Sequence, residues 1–269
     1  MSNHFKQAQV IISSAWQRGL TFRFTIATYR VGEIAEVLIL VLMWTSIYAA
    51  GTGGIKGYSL PEMITYVLIG NLFSTAVRSF LPSYISVYIN EGRLSMFLVK
   101  PIPFLKFVFL NELGRTSLVT VISLITQSAV ILFFLDKFIF NFELPYLGVI
   151  LIMLLFAFII ELLMGFLVGC ISFWTEEIDG LHQSIERLKR FFSGGYFPIS
   201  LLPSSAIIAS GLLPFQYSFF IPAQLYLKKM SLAQGYHGLL IQLLWIGILA
   251  LLVHIVWEQG LKRYEAVGS

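Results

Sequence analysis

Long apolar runs alternate with short polar stretches along almost the whole chain. Runs at 31–50, 61–85, 107–135, 146–174 and 236–257 each reach about 20 residues or more, the length a helix needs to cross a hydrocarbon core, and each is predicted to span a bilayer. Pro61 suits the first turn of its helix, where the missing N–H leaves no bond unmade. Ahead of these runs, residues 4–20 gather Phe5, Ala8, Ile12, Ala15 and Trp16 on one helical side, with Lys6, Gln7, Ser13, Ser14, Gln17 and Arg18 on the other. That pattern predicts a helix lying in the membrane interface. A second surface helix is predicted within 88–103. Leu94, Phe97 and Leu98 share a face there, Glu91, Arg93, Ser95 and Lys100 keep the other face wet, and Pro101 ends the helix.

The stretch 178–196 is the ambiguous one, because Asp179, His182, Glu186, Arg187, Lys189 and Arg190 sit among its apolar residues. It reads either as a sixth crossing whose polar half faces protein or water, or as a cytoplasmic helix preceding a re-entrant pair. Residues 197–230 carry Pro198, Pro203, Pro214 and Pro222, so they form a broken element, tolerated at membrane depth only where protein or a water-lined cavity satisfies the backbone. Charge favours six crossings. With the N-terminus inside, Lys6, Arg18, Arg23, Arg30, Arg93, Lys100, Lys106, Arg115, Arg187, Lys189, Arg190, Lys262 and Arg263 all fall on the cytoplasmic side, and only Lys56, Lys137, Lys228 and Lys229 fall outside. Arg78 lies within the second span, from which it can snorkel to the inner headgroups.

Composition agrees with this picture: 57% of the 269 residues are apolar and 12% charged, so the fold class expected is an all-α polytopic membrane protein in one domain. The net charge of +4 is spread over loops and does not point to nucleic acid. Residues 1–28 lack the unbroken apolar core of a cleaved signal peptide. The single cysteine, Cys170, excludes an internal disulfide and reads as a small core residue.

Few residues invite chemistry. Glu161 stands near the middle of its span, where an acidic side chain costs about 2.5–3.5 kcal/mol on insertion scales. It is either a substrate-route or gating group, or a carboxyl bonded to a neighbouring helix. Glu33 and Glu36 share a helical side near Arg30, as expected of a solvated, locally neutralised helix end. The four histidines are scattered, and neither a metal motif, a phosphate-binding P-loop nor a G-x-S-x-G elbow occurs.

The segment Ile89-Asn90-Glu91-Gly92-Arg93-Leu94-Ser95-Met96-Phe97-Leu98-Val99-Lys100-Pro101 resembles the pattern in permease subunits of type-2 ATP-binding-cassette exporters, in particular the six-span branch without a large soluble insert. Gly57-Tyr58-Ser59-Leu60-Pro61-Glu62-Met63, the run from Ser193-Gly194-Gly195 to Pro203, and Leu213-Pro214-Phe215 are similar to the same branch, so the resemblance covers roughly 55–260. It implies that 88–101 is a coupling helix seated on a cytoplasmic ATPase. Glu91, Gly92, Arg93, Lys100 and Pro101 would shape the fit, and Leu94, Phe97 and Leu98 would anchor it. Residues 1–30 would form an elbow, and 197–230 outer re-entrant helices closing the exit. Glu161, Gly194, Gly195, Pro198, Pro203 and Pro214 become candidate route or gating residues. Two copies of the ATPase would supply ATP and Mg, and a second permease, identical or not, would complete the route among membrane lipids. The expected location is the inner membrane of a bacterium, with both termini cytoplasmic. Against this stand an ion-coupled secondary transporter, which would show paired repeats and broken helices in both halves, and an intramembrane lipid-modifying enzyme, which would cluster polar groups at one depth.

Overall fold

Helices account for nearly all the regular structure in the computed structural model, which describes residues 2–51, 55, 57–98 and 102–267. In chain order they are α1 (Ser2–Thr21), α2 (Arg23–Ala49), α3 (Leu60–Val77), α4 (Leu81–Asn90), α5 (Ser95–Leu98), α6 (Phe104–Phe133), α7 (Leu144–Cys170), α8 (Asp179–Phe192), α9 (Ser204–Leu212), α10 (Phe220–Tyr226) and α11 (Leu232–Val267). Among the described residues, five helical runs are long and apolar enough to cross a membrane: Arg23–Ala49, Leu60–Asn90, Phe104–Phe133, Leu144–Phe173 and Leu232–Tyr264.

The first span begins earlier than the hydropathy pattern predicts. The chain leaves α1 at Phe22 and enters α2 at Arg23, so 23–30 belong to the long helix rather than to an elbow. The amphipathic face of α1 packs on the first half of α6. Trp16 donates its indole N–H to Ser117 at 2.9 Å, and Arg18 bonds Asn111. The crossing is close because residue 114 is glycine: a Cβ there would lie 2.9 Å from both the Ala15 Cβ and the Ile12 carbonyl oxygen. Phe5, assigned to the same face, is instead exposed.

The second span is not one helix. α3 starts with a capping box, in which the Ser59 hydroxyl accepts from the Glu62 N–H and the Glu62 carboxylate accepts from the Ser59 N–H at 2.7 Å. It stops at Val77; Arg78 is extended, and α4 restarts at Leu81 with Pro82 in its first turn.

Contacts fix the direction of each helix. α3 and α6 are antiparallel: Thr65, Asn71 and Arg78 meet Ile139, Gln127 and Thr116 in that order. α7 and α11 run parallel. A Cβ on Gly235 would touch Val149, Gln242 donates to the Met153 carbonyl at 2.9 Å, Trp257 packs on Phe166, and Gly260 lies against the Phe173 ring. Parallel neighbours require the chain between them to return to the starting end. It does so in pieces. Asn90 donates to the Glu176 carbonyl at one end of the bundle, while Lys229 bonds Glu62 and the Gly57 carbonyl, both at 2.8 Å, at the other.

The expectation of a single crossing helix at 178–196 is therefore corrected. α8 has 14 residues, about 21 Å at 1.5 Å per residue, and none of them is fully buried. It ends in a Schellman-type turn. Gly194 takes φ +83°, and the Gly195 N–H returns to the Arg190 carbonyl at 3.0 Å. From there the chain reaches the opposite end, where Ser200 meets the Tyr58 hydroxyl at 3.2 Å. It then turns back inward until Phe219 lies flat against Gly70, and α10 climbs out again to Tyr226, whose carbonyl accepts from Asn141 at 2.9 Å. The descent from the level of Leu60, at the start of α3, to that of Gly70 is about 15 Å, ten residues along the helix.

Two apolar cores stack along the bundle. One joins Val37, Trp44, Ile64, Leu68, Met153, Phe219 and Leu225; the other joins Val77, Leu81, Ile85, Leu94, Phe104, Phe166, Cys170 and Phe173. Cys170 is fully buried in the second. A maleimide is therefore expected to leave it unmodified in the folded protein and to label it after denaturation, read by intact-mass spectrometry; labelling of folded protein at the denatured rate would contradict its burial.

Candidate functional site

Between the two cores the helices present charged and amide side chains to one another, and most of these groups are paired across helices. Arg78, freed by the end of α3, does not snorkel to headgroups. It donates to Glu33 at 2.9 Å, and Glu33 also accepts from Arg30 at 2.7 Å, while Arg30 bonds Ser123 on α6. Glu36 takes Arg190 of α8 in a two-point pair, with bonds of 2.8 and 2.5 Å. Glu33 and Glu36 are neutralised as expected, but their partners lie on other helices as well as on α2.

Glu112 governs the break between α3 and α4. It is 2% exposed and accepts from the Phe80 backbone N–H at 2.8 Å and from the Ser79 hydroxyl at 3.1 Å. Arg115 neutralises it with bonds of 2.9 and 2.5 Å and lays its guanidinium over the Phe80 ring at 4.3 Å. A broken helix leaves N–H groups without intrahelical partners; a carboxylate from α6 satisfies one of them and ties α6 to the start of α4.

Glu161 is bonded to a neighbouring helix. Lys189 of α8 reaches it, and the same ammonium donates to Glu186 at 2.6 Å. Nothing in the sequence marks Lys189 as its partner beyond the i, i+3 spacing of Glu186 and Lys189, which places both on one face of α8.

Arg78, Glu161, Glu186, Lys189 and Arg190 of this set line a cavity of about 300 Å³ bounded by α3, the 78–80 break, α7, α8 and the Pro214–Ser218 turn. Asn71, Ser74, Arg78, Glu161, His182, Arg187, Lys189, Arg190, Tyr196 and Ser218 supply its polar wall; Val77, Phe80 and Phe219 supply apolar wall. Of the candidate route residues, Glu161 lines it directly. Gly194 sits behind it: its carbonyl accepts from the buried Tyr66 hydroxyl at 2.7 Å, and a Cβ there would lie 2.7 Å from that oxygen. Gly195 packs on Arg190. Pro198 and Pro203 precede the short helical turns Ile199–Leu201 and Ser204–Leu212, and Pro214 begins the turn that returns the chain to the cavity. Among the described residues no group of three His, Cys, Asp or Glu side chains is placed to hold a metal ion.

The predicted surface helix at 88–101 is divided. α4 carries the chain to Asn90, Gly92 takes φ +69°, and α5 is a single turn. The anchoring role expected of Leu94 and Phe97 is corrected. Leu94 is 1% exposed, and Phe97 stacks on Tyr88, Phe104 and Phe107 at centroid distances of 5.5, 5.2 and 4.9 Å. Both therefore fasten the segment to its own bundle. Glu91, Gly92, Arg93, Ser95 and Met96 remain exposed, and Arg93 pairs with Glu91 at 2.5 Å. Met96 was not singled out from the sequence. The Leu98 side chain, Lys100 and Pro101 lie outside the described residues.

A search of curated proteins returns no match. A family model described as ABC-2 family transporter protein matches residues 34–268, from the middle of α2 through the last helix. A bundle of apolar helices, a charged belt and a match over most of its length lead to one conclusion: the chain belongs to the ABC-2 transporter family as a multi-pass, membrane-embedded permease component.

Proposed function

We propose that the chain pairs with a second permease subunit, identical or not, to form the export route of an ATP-binding-cassette transporter driven by two copies of a separate cytoplasmic ATPase carrying ATP and Mg. The observation that carries this reading is the exposed turn around Gly92. It joins α4 to the segment leading into α6, and Glu112 ties those two helices together at the belt. A soluble partner pushing on Glu91, Arg93 and Met96 would therefore move α4 and α6 as one piece against α3 and change access to the cavity. With that turn cytoplasmic, Lys137, Lys228 and Lys229 lie at the outer end and both termini inside, in the inner membrane of a bacterium, in keeping with the positive-inside rule. The return between α7 and α11 is then a sixth crossing made in segments, and 197–230 an outer re-entrant element. α1 serves as an interfacial elbow.

Reversing Arg93 to Glu breaks its pair with Glu91 without touching either core. ATPase co-purification or ATP-dependent efflux is expected to fall, while the amount of permease in the membrane stays unchanged. An Arg93→Glu variant with normal assembly and efflux would remove this turn as the docking point. Efflux that survives ATP depletion but collapses with the ion gradient would replace the whole reading by a secondary carrier.

A further inference from the structure

We propose that the 300 Å³ cavity binds the acidic group, phosphate or carboxylate, of an amphipathic molecule. This inference rests on the transport reading and names its substrate class.

The cavity is richer in unused donors than in unused acceptors. Arg187 lines it, and its guanidinium makes no ion pair or hydrogen bond among the described residues; neither do the His182 imidazole and the Ser74 hydroxyl. Asn71 is 5% exposed, and its carbonyl oxygen accepts from Gln127 at 2.7 Å, which leaves its NH₂ group with no acceptor among the described residues. On the α7–α8 side Glu161 and Glu186 share one ammonium, that of Lys189, so a surplus negative charge stays there. Elsewhere cations are in excess: from just outside the lining Glu36 neutralises Arg190 and Glu33 serves both Arg30 and Arg78, while Arg187 has no carboxylate partner among the described residues, so the unbalanced positive charge lies at Arg78 and Arg187.

A ligand that supplies acceptors and negative charge completes this set, and charge-assisted bonds from guanidinium are the strong ones. A cation would meet the unbalanced Arg78 and Arg187, and the carboxylates of the lining, Glu161 and Glu186, already hold the Lys189 ammonium between them. Val77, Phe80 and Phe219 give the same cavity an apolar side, which suits a ligand whose acidic group carries a hydrocarbon part. The volume lies at the small end of the range for organic ligands.

The test is calorimetric titration of the purified full-length chain in a neutral maltoside detergent, without the ATPase. The probes are dodecyl phosphate, inorganic phosphate and dodecyltrimethylammonium. Dodecyl phosphate is expected to bind saturably, and Arg187→Glu to weaken it roughly tenfold or more, the loss of one charged hydrogen-bond partner; Arg263→Glu, on the exposed end of α11, is expected to bind as the parent does. Binding of dodecyl phosphate alone supports a lipid-like ligand, and equal, Arg187-dependent binding of inorganic phosphate supports a free anion as the source of the acidic group. No binding by the parent chain, binding indifferent to Arg187→Glu, or preference for the ammonium would each overturn the proposal. Because the ATPase is absent, these outcomes leave the transporter reading standing, and a failed ATPase interaction leaves them readable.

Discussion

Replacing Lys189 by Ala is expected to destabilise the protein by about 3–5 kcal/mol, the usual cost of removing one partner from a buried ionic group. Its side chain is 12% exposed and is the one cation between Glu161 and Glu186. Without it, Glu161 on α7 faces a second carboxylate with nothing to compensate either. The measurement is a thermal melt of the detergent-solubilised protein, followed through near-ultraviolet circular dichroism. Lys189→Met combined with Glu161→Leu should recover most of the loss, because an apolar pair of similar size replaces the charges together. If the single variant melts with the parent, Glu161 is not held by α8. Glu161→Gln keeps an acceptor for Lys189, so it should lower efflux with little loss of protein from the membrane; unchanged efflux would take Glu161 out of the mechanism.

The second large effect is expected at Glu112, where stability and coupling separate. Glu112→Ala leaves the Phe80 N–H and the Ser79 hydroxyl without their acceptor, at a cost of about 1–3 kcal/mol for the buried polar group. The greater change is mechanical. α4 loses its tie to α6, so a push at Gly92 no longer reaches the 78–80 break. ATP hydrolysis by the assembled complex should persist while efflux per ATP falls roughly tenfold, a difference of only about 1.4 kcal/mol in the coupled step. Glu112→Gln, which can still accept from Phe80, should lie between. Hydrolysis and efflux falling in proportion would mean that Glu112 is structural and carries no motion.

What hydropathy encodes was legible in part: α6 and α7 fall within a few residues of the apolar runs, whereas α11 continues to Val267, ten residues past the end of its apolar run at 257. The start of α2 was misplaced because Arg23 and Arg30 look too polar for a span. Pairing of Arg30 with Ser123 on α6, beside Glu33 on its own helix, makes it acceptable there, and no window along one helix contains the α6 partner. The break at Arg78 had a local sign in Pro82, since proline favours the first turn of a helix, but an unbroken apolar run around it concealed the restart. Lys189 and Glu161 stand 28 residues apart on separate helices, so only the folded bundle brings them together. Leu94 and Phe97 were read correctly as an apolar face and assigned to the wrong neighbour. Periodicity shows that a face is buried but not what buries it.

The parallel arrangement of α7 and α11 also constrains how the chain is made. α8 carries Asp179, His182, Glu186, Arg187, Lys189 and Arg190 within 14 residues, too polar a segment to enter lipid unaided. Glu161 and Glu36 must already be in place to receive Lys189 and Arg190. On the proposed six-crossing reading, the segmented passage follows the first four during biosynthesis and is secured only when α11 arrives to cover Met153 and Tyr217. A reporter fused just after residue 230 should find its orientation unsettled, whereas one fused near the end of α11 should find a single, fixed side.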